Sequence, residues 1–266
     1  MQDGDDGPSV LVEDDEAVRV LTLNRPHRMN ALNARMADEF LAAAEAARDE
    51  SSVRCVVLRG AGQGFFAGGD VADFAAHGDD VGSFAGDLID RYHPTIEALR
   101  AMEKPVLAAL HGRVAGAGVS LAMAADLAIA ESGTIFSLAY TGIGASPDGG
   151  STYFLPRIVG QRRALEIALL SERFDADQAL AWGLINRIVA PEKFDQEVTL
   201  FAKRLAAGPT KAYARVKRLI EQSVTNDLPG QLAAERAAFL EGAETRDFRE
   251  GVKAFTEKRK PDFTGE

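Results

Sequence analysis

The sequence predicts an α/β fold that is followed by a helical C-terminal region. Over about the first 190 residues, short apolar runs typical of strands alternate with longer periodic stretches typical of helices. Helical patterns dominate beyond Gly150 and are the only ones from about residue 200. With 266 residues, 46% of them hydrophobic and 26% charged, the chain is long and apolar enough for one large core with an appendage.

The first half of the chain contains two units in which strands and helices alternate, preceded by a flexible tail at residues 1–9. A strand ends at the turn Asn24-Arg25-Pro26, and Asn33 can cap the helix that follows. The predicted elements are strand 18–23, helix 33–50, strand 53–59, an irregular stretch over 65–82, helix 84–102, strand 105–110, helix 118–125, and strands 127–130 and 135–137.

The second half is predicted to be mainly helical, with one short strand at 185–189. The helices are expected at 155–170, 176–182, 193–207, 210–224, 228–242 and 246–258. We therefore divide the chain into a core at residues 10–199 and a helical C-terminal region at residues 200–266.

The charge balance and the cysteine count narrow the classes of function. The chain has 30 Lys and Arg against 40 Asp and Glu, a net charge of -10, which disfavours a nucleic-acid-binding surface. No run approaches the roughly 18 apolar residues of a membrane helix, and the start is acidic, unlike a signal peptide, so we expect no membrane association. The single Cys55 lies in an apolar run and predicts a buried thiol and a cytoplasmic location.

Two glycine-rich segments follow predicted strands and are candidates for backbone contacts with a ligand. They are Phe65-Phe66-Ala67-Gly68-Gly69-Asp70 and Gly112-x-x-x-Gly116-x-Gly118. The second does not fit the dinucleotide fingerprint, whose third glycine would fall at Leu121. One N–H from each segment would form an oxyanion hole, although each segment alone is also compatible with an ordinary loop or with tight helix packing.

Around these segments the chain resembles the enoyl-CoA hydratase/isomerase (crotonase) superfamily, and within it the 1,2-epoxyphenylacetyl-CoA isomerase-like subgroup. The similar segments, in family order, are LTLNRPHRMNALN at 21–33, FFAGGD at 65–70, KPVLAALHGRVAGAGVSLAMAADLAIA at 104–130, SPDGGSTYFLPRIVG at 146–160, ALAWGLINRIV at 179–189 and EGVKAFTEKRKPDFTG at 250–265. The resemblance implies a crotonase-like spiral of ββα units with a helical C-terminal trimerisation region. It also implies a homotrimer or a dimer of trimers that binds an acyl-CoA thioester.

The resemblance implies which residues bind the substrate. The oxyanion hole would consist of the N–H groups of Gly69 and Ala117. Coenzyme A would contact Ala67 at its adenine and Phe255 and Lys258, in the last predicted helix, at its nucleotide end. A weaker candidate for a phosphate contact is Arg28. No cofactor and no metal are implied, because coenzyme A is part of the substrate.

Departures from the family pattern favour an isomerase. The two glutamates of typical hydratases correspond to Ser120 and Tyr140, and neither side chain is a carboxylate base near neutral pH. Asp148 corresponds to the acid/base aspartate of the isomerases, although Pro-Asp-Gly-Gly alone is an ordinary turn. Tyr140 is a candidate donor to the Asp148 carboxylate.

Three other functions stay open. A hydratase is favoured by its frequency in the family, and a non-catalytic CoA-binding protein by the absent glutamates. A hydrolytic aryl-CoA dehalogenase is favoured by His93, which corresponds to the water-activating histidine of those enzymes, with Asp148 in the place of their nucleophile. His93 is also compatible with a role in the core or the pocket wall, which we favour.

Overall fold

The computed structural model describes residues 7–266 and contains two sheets. The strands are β1 Val10–Asp15, β2 Val18–Leu23, β3 Cys55–Gly60, β4 Val106–Leu110, β5 Arg113–Ala115, β6 Leu127–Glu131, β7 Ile135–Ser137, β8 Phe174–Asp175 and β9 Arg187–Val189. The larger sheet has six strands in the order β1-β2-β3-β4-β6-β9, and the smaller has three in the order β5-β7-β8. In the larger sheet only the β1–β2 pair is antiparallel.

Helices connect the parallel strands and form the C-terminal region. They are α1 Ala34–Asp49, α2 Val71–Ala76, α3 Val81–Ala101, α4 Ala117–Ala124, α5 Ser151–Val159, α6 Gln161–Leu170, α7 Ala176–Ala181, α8 Phe194–Ala206, α9 Thr210–Gln222, α10 Leu228–Ala243 and α11 Arg246–Thr256. Among residues 7–266, none of these helices is long and apolar enough to cross a bilayer.

The larger sheet is covered on both faces, which explains why its inner strands are apolar throughout. Val56 of β3 belongs to the same buried cluster as Phe40 of α1. The next residue, Val57, points to the opposite face and belongs to a second cluster with Phe194 of α8. Alternate side chains of a strand point to opposite faces, so a strand covered on both sides needs an unbroken apolar run.

The α/β fold with a helical C-terminal region is confirmed, and several local features differ from the prediction. Strands β1, β5 and β8 were not predicted, and the stretch 65–82, predicted to be irregular, contains α2. The single helix predicted at 155–170 is two helices, α5 and α6, separated at Gly160, where φ is +78° and ψ is 158°.

The predicted ends of the tail and of the core lie at Ser9 and inside α8. Residues 1–6 of the predicted tail lie outside the described residues, whereas Ser9 is buried and its carbonyl accepts a hydrogen bond from Asn24 N at 2.7 Å. Residue 200, the predicted start of the C-terminal region, falls inside α8. The apolar face of α8 packs on the larger sheet, and α9, α10 and α11 follow it.

Candidate active site

The two glycine-rich segments meet through their backbones. Ala115 N donates to Phe66 O at 2.9 Å, and Phe66 and Val114 form an isolated parallel bridge. A Cβ on Gly118 would lie 2.1 Å from Phe66 O, and one on Gly68 would lie 3.1 Å from Ala117 N. Both glycines are therefore needed for the close approach of the two chains.

Gly69 and Ala117 flank this contact, and each has an N–H group outside the backbone hydrogen bonds of its segment. Gly68 O accepts from Leu32 N and Asp70 N donates to Leu32 O, so the peptide N–H of Gly69 lies outside this ladder. Ala117 is the first residue of α4, where a helix has N–H groups without helical partners. Among residues 7–266, neither N–H donates to a backbone oxygen.

Asp148, in the loop before α5, packs against Ser120 of α4 and contacts three hydroxyl groups. The Tyr140 hydroxyl donates to Asp148 Oδ1. The hydroxyls of Ser120 and Ser151 lie 3.0 and 2.9 Å from the Asp148 carbonyl oxygen and 2.5 Å from each other. Ser120 is three residues beyond Ala117 in α4 and so lies on the same helix face. The contact of its hydroxyl with the Asp148 carbonyl therefore brings Asp148 to the first turns of the helix that Ala117 begins.

Two phenols near Asp148 stay protonated at neutral pH. Burial, and secondarily the negative charge of Asp148, raises the pKa of Tyr140 well above its ordinary value. Burial also raises the pKa of Tyr92, and Tyr140 and Asp148 raise it further by smaller amounts. Since both phenols keep their protons, Tyr140 acts as a hydrogen-bond donor to the carboxylate rather than as a base.

His93 faces the same segment from α3. Its Nε2 accepts a hydrogen bond from Gly149 N at 3.2 Å. The sequence singled out His93, Tyr140 and Asp148, and the structure brings all three together. Sequence reasoning missed Ser151, which follows the Pro-Asp-Gly-Gly turn and has no motif of its own.

The loop that contains Arg28 also contacts the first glycine-rich segment. Ala67 N donates to Met29 O at 3.1 Å, and Arg28 lies exposed in the short helical turn that precedes Met29. The structure therefore places two of the predicted coenzyme A contacts, Ala67 and Arg28, on adjoining loops.

The other two predicted coenzyme A contacts lie elsewhere in the chain. Phe255 is 85% exposed and lines a groove of about 660 Å³ between α9, α10 and α11. Lys258 is exposed just beyond α11. The groove includes none of Ala67, Arg28 and Asp148, so the structure does not bring the two sets of residues together in this groove.

The chemistry of the site depends on N–H donors, one carboxylate and hydroxyls. No three His, Cys, Asp or Glu side chains are grouped as metal ligands within the described part of the chain. Two N–H donors can stabilise a developing oxyanion, and a carboxylate beside them can transfer a proton. The fold, together with N–H donors where two glycine-rich loops meet, defines the class of crotonase-fold enzymes.

Comparisons with known proteins give the same assignment. The enoyl-CoA hydratase/isomerase family matches residues 13–266. A Rhodobacter capsulatus protein named "Probable enoyl-CoA hydratase" is 43% identical over 97% of this chain and 98% of its own length. The 1,2-epoxyphenylacetyl-CoA isomerase of Escherichia coli is 37% identical over 96% of this chain and 98% of its own.

A solved structure shows the same similarity in three dimensions. The crystal structure of an enoyl-CoA hydratase from Polaromonas has a TM-score of 0.91 and 33% identity, covering 96% of this chain and 99% of that one. The chain belongs to the enoyl-CoA hydratase/isomerase family, whose members are enzymes and include both hydratases and isomerases.

Proposed function

We propose that the protein is an enoyl-CoA isomerase that uses Asp148 as its single acid/base group. The observation that supports this most is the set of side chains around Asp148. Its carboxylate accepts a hydrogen bond from the Tyr140 hydroxyl, and its backbone carbonyl lies beside the hydroxyls of Ser120 and Ser151. No second carboxylate is among the described contacts of these side chains, since Ser120 and Tyr140 occupy the positions of the hydratase glutamates. A double-bond shift or the rearrangement of an aryl-epoxide acyl group needs one such base.

The reaction begins with the thioester carbonyl bound by Gly69 N–H and Ala117 N–H. In a 3-enoyl thioester, Asp148 removes a proton from the carbon next to the carbonyl, and the electrons move into the carbonyl oxygen. The resulting dienolate is stabilised by the two donors, each contributing about 3 kcal/mol. Asp148 then returns the proton to the far carbon of the former double bond, which gives the 2-enoyl thioester.

The substrate carries its own coenzyme A, and we propose no further cofactor. Ala67 and Arg28, on adjoining loops, would contact one part of the coenzyme A, and Phe255 and Lys258 would contact its nucleotide end. Since the latter two lie on the α9–α11 region, a neighbouring subunit can supply them.

We also propose that the protein assembles as a homotrimer or a dimer of trimers through α9, α10 and α11. Apolar side chains on these helices are exposed, among them Ile220 at 66%, Leu232 at 54% and Phe239 at 65%. A cytoplasmic location is proposed as well. It is supported by Cys55, which is buried and whose pKa is raised to about 12 by burial, as expected for an unreactive thiol.

The test compares two reactions of the purified enzyme. We expect faster conversion of a 3-enoyl-CoA to its 2-enoyl isomer, or faster rearrangement of an aryl-epoxide CoA ester, than hydration of crotonyl-CoA. Asp148→Asn removes the base and should lower isomerisation by about 10²-fold or more. The matched control is Asp177→Asn, at an exposed residue of α7. Rapid hydration that is unaffected by Asp148→Asn would contradict the proposal.

A separate measurement tests the dehalogenase alternative. A covalent aroyl adduct that accumulates in His93→Gln with a 4-halobenzoyl-CoA would favour hydrolysis over isomerisation. Binding of acyl-CoA with no turnover of any tested thioester would favour a non-catalytic CoA-binding protein.

A further inference from the structure

One peptide group in the site is held at both of its polar atoms. It joins Asp148 to Gly149. Its carbonyl oxygen lies 3.0 Å from Ser120 Oγ and 2.9 Å from Ser151 Oγ, and its N–H donates to His93 Nε2 at 3.2 Å. The plane of this peptide sets the direction in which the Asp148 side chain leaves the backbone, so three side chains orient the carboxylate.

Gly149 is closely surrounded by the side chains of Ser120 and Tyr92. Gly149 is buried and has φ of +59°. A Cβ there would lie 3.0 Å from Ser120 Cβ and 3.2 Å from Tyr92 Cε1. A buried N–H needs an acceptor, and among the described residues the acceptor of this N–H is His93.

The direction of this hydrogen bond determines which nitrogen of the imidazole carries the proton. An N–H donor requires a lone pair on Nε2, so the proton of the neutral ring is on Nδ1. We propose that His93 is a positioning residue, which holds the Asp148–Gly149 peptide through Nε2 and acts on the reaction only by orienting Asp148. Its effect on the rate rests on the proposed function, whereas the tautomer does not.

This role differs from the two that sequence reasoning considered. A histidine of the pocket wall contributes volume, and an apolar side chain of similar size replaces it. A histidine that activates water must take up a proton on a free nitrogen, and Nε2 is already engaged with Gly149. A positioning histidine is replaced by a side chain that accepts a hydrogen bond at the same point.

Three substitutions separate these roles. The amide oxygen of Gln reaches the position of Nε2, that of Asn reaches only the position of Nδ1, and Leu has no acceptor. We expect His93→Gln to keep kcat within about threefold. His93→Asn and His93→Leu should lower kcat by about 10- to 100-fold with little change in KM, because misplaced catalytic groups cost rate rather than binding.

Two kinetic results would overturn the proposal. If His93→Leu is as active as His93→Gln, the side chain only fills space. If His93→Gln loses as much activity as His93→Leu, His93 itself transfers protons. Melting temperatures show whether each variant folds, and His93→Asn keeps the comparison possible if the apolar variant does not. His77→Gln, at an exposed histidine beyond α2, is the matched control.

The tautomer is measured without substrate, by ¹⁵N NMR of protein labelled in its histidine rings. The His93 signals are assigned by their absence from His93→Gln. We expect a protonated Nδ1 and an unprotonated Nε2 at neutral pH, and a proton on Nε2 would overturn the role of His93. A wild-type enzyme without isomerase activity would instead overturn the proposed function, so the two failures are distinguishable.

Discussion

At the scale of single residues, the Tyr140–Asp148 hydrogen bond decides which carboxylate oxygen meets the substrate. Tyr140 occupies Oδ1, and its proton is retained because burial, with the Asp148 charge, raises the pKa of the phenol. Asp148 Oδ2 has no hydrogen-bond partner among residues 7–266. In the proposed isomerisation, Oδ2 is therefore the oxygen that would transfer the proton.

Removing the Tyr140 hydroxyl tests this division of the two oxygens. We expect Tyr140→Phe to lower kcat for isomerisation by about 10- to 100-fold, with KM nearly unchanged, because a hydrogen bond to a charged group contributes about 1.5–3 kcal/mol. Tyr153→Phe, at a half-exposed phenol of α5, is the matched control. Steady-state kinetics of both variants decide the point, and an unchanged kcat in Tyr140→Phe would contradict the role of its hydroxyl.

At the scale of elements, the sequence predicts most strands and helices because each has a clear period. It does not predict β5 and β8, which are only three and two residues long. Nor does it predict β1, since Glu13, Asp14 and Asp15 are exposed at the edge of the sheet and conceal the strand pattern. It merges α5 with α6 because helical patterns lie on both sides of Gly160, whose backbone conformation ends α5.

The candidate site is predictable in its residues but not in its connections. The glycine-rich segments and the family resemblance indicate Gly69, Ala117 and Asp148. The hydroxyl of Ser151 and the acceptor of the Gly149 N–H come from residues distant in sequence or without a motif, so only the folded chain shows them.

The contact between the two glycine-rich segments gives a prediction about one glycine. In Gly118→Ala the new Cβ would meet Phe66 O at 2.1 Å, so the loops must separate. We expect a loss of about 1–3 kcal/mol in the free energy of unfolding, together with reduced isomerisation. Urea unfolding measures the first. Gly142→Ala, where a Cβ would have nothing within 4 Å, should leave stability nearly unchanged, and equal stability of the two variants would contradict the close approach.

The carboxylate of Glu250 holds the first part of the segment that follows α11. Glu250 accepts hydrogen bonds from the Arg259 guanidinium, at 2.6 and 2.9 Å, and from Asp262 N at 2.9 Å. Chiefly the Arg259 hydrogen bonds, and then that of Asp262, lower the pKa of Glu250 from 4.5 to about 2. A lowered pKa in the folded state stabilises the fold above the unfolded value, and this contribution is lost as the pH falls from about 4.5 to about 2.

Hydrogen exchange tests this dependence. We expect the protection factor of the Asp262 amide to fall between pH 5 and pH 3 in the wild type. In Glu250→Gln it should be low at both values, because the neutral amide binds Arg259 weakly. Glu172→Gln, at an exposed residue outside this segment, should behave as the wild type. An unchanged protection factor in Glu250→Gln would show that the ion pair does not hold the segment.

At the scale of the whole molecule, the groove between α9, α10 and α11 would serve both the proposed assembly and the proposed coenzyme A binding. Phe239 and Phe248 make an edge-to-face contact at 5.8 Å in this region, and Phe255 lies in the same groove. Exposed apolar surface of this kind indicates an interaction site. If a second subunit covers it, Phe255 and Lys258 come to lie beside that subunit, where they can complete its coenzyme A site.

Two substitutions separate these roles. Phe239→Glu places a charge in the proposed interface and should dissociate the oligomer, whereas Leu200→Glu, at a 56% exposed leucine of α8, should not.

Lys258→Ala should keep the oligomer and raise KM by about 5- to 100-fold with little change in kcat. The reason is that a contact with a remote phosphate, worth about 1–3 kcal/mol, is equally strong in the ground state and the transition state. Sedimentation and acyl-CoA titration measure the two effects. If Phe239→Glu stays oligomeric, the groove is not part of the subunit interface. If Lys258→Ala binds acyl-CoA normally, Lys258 is not part of the coenzyme A site.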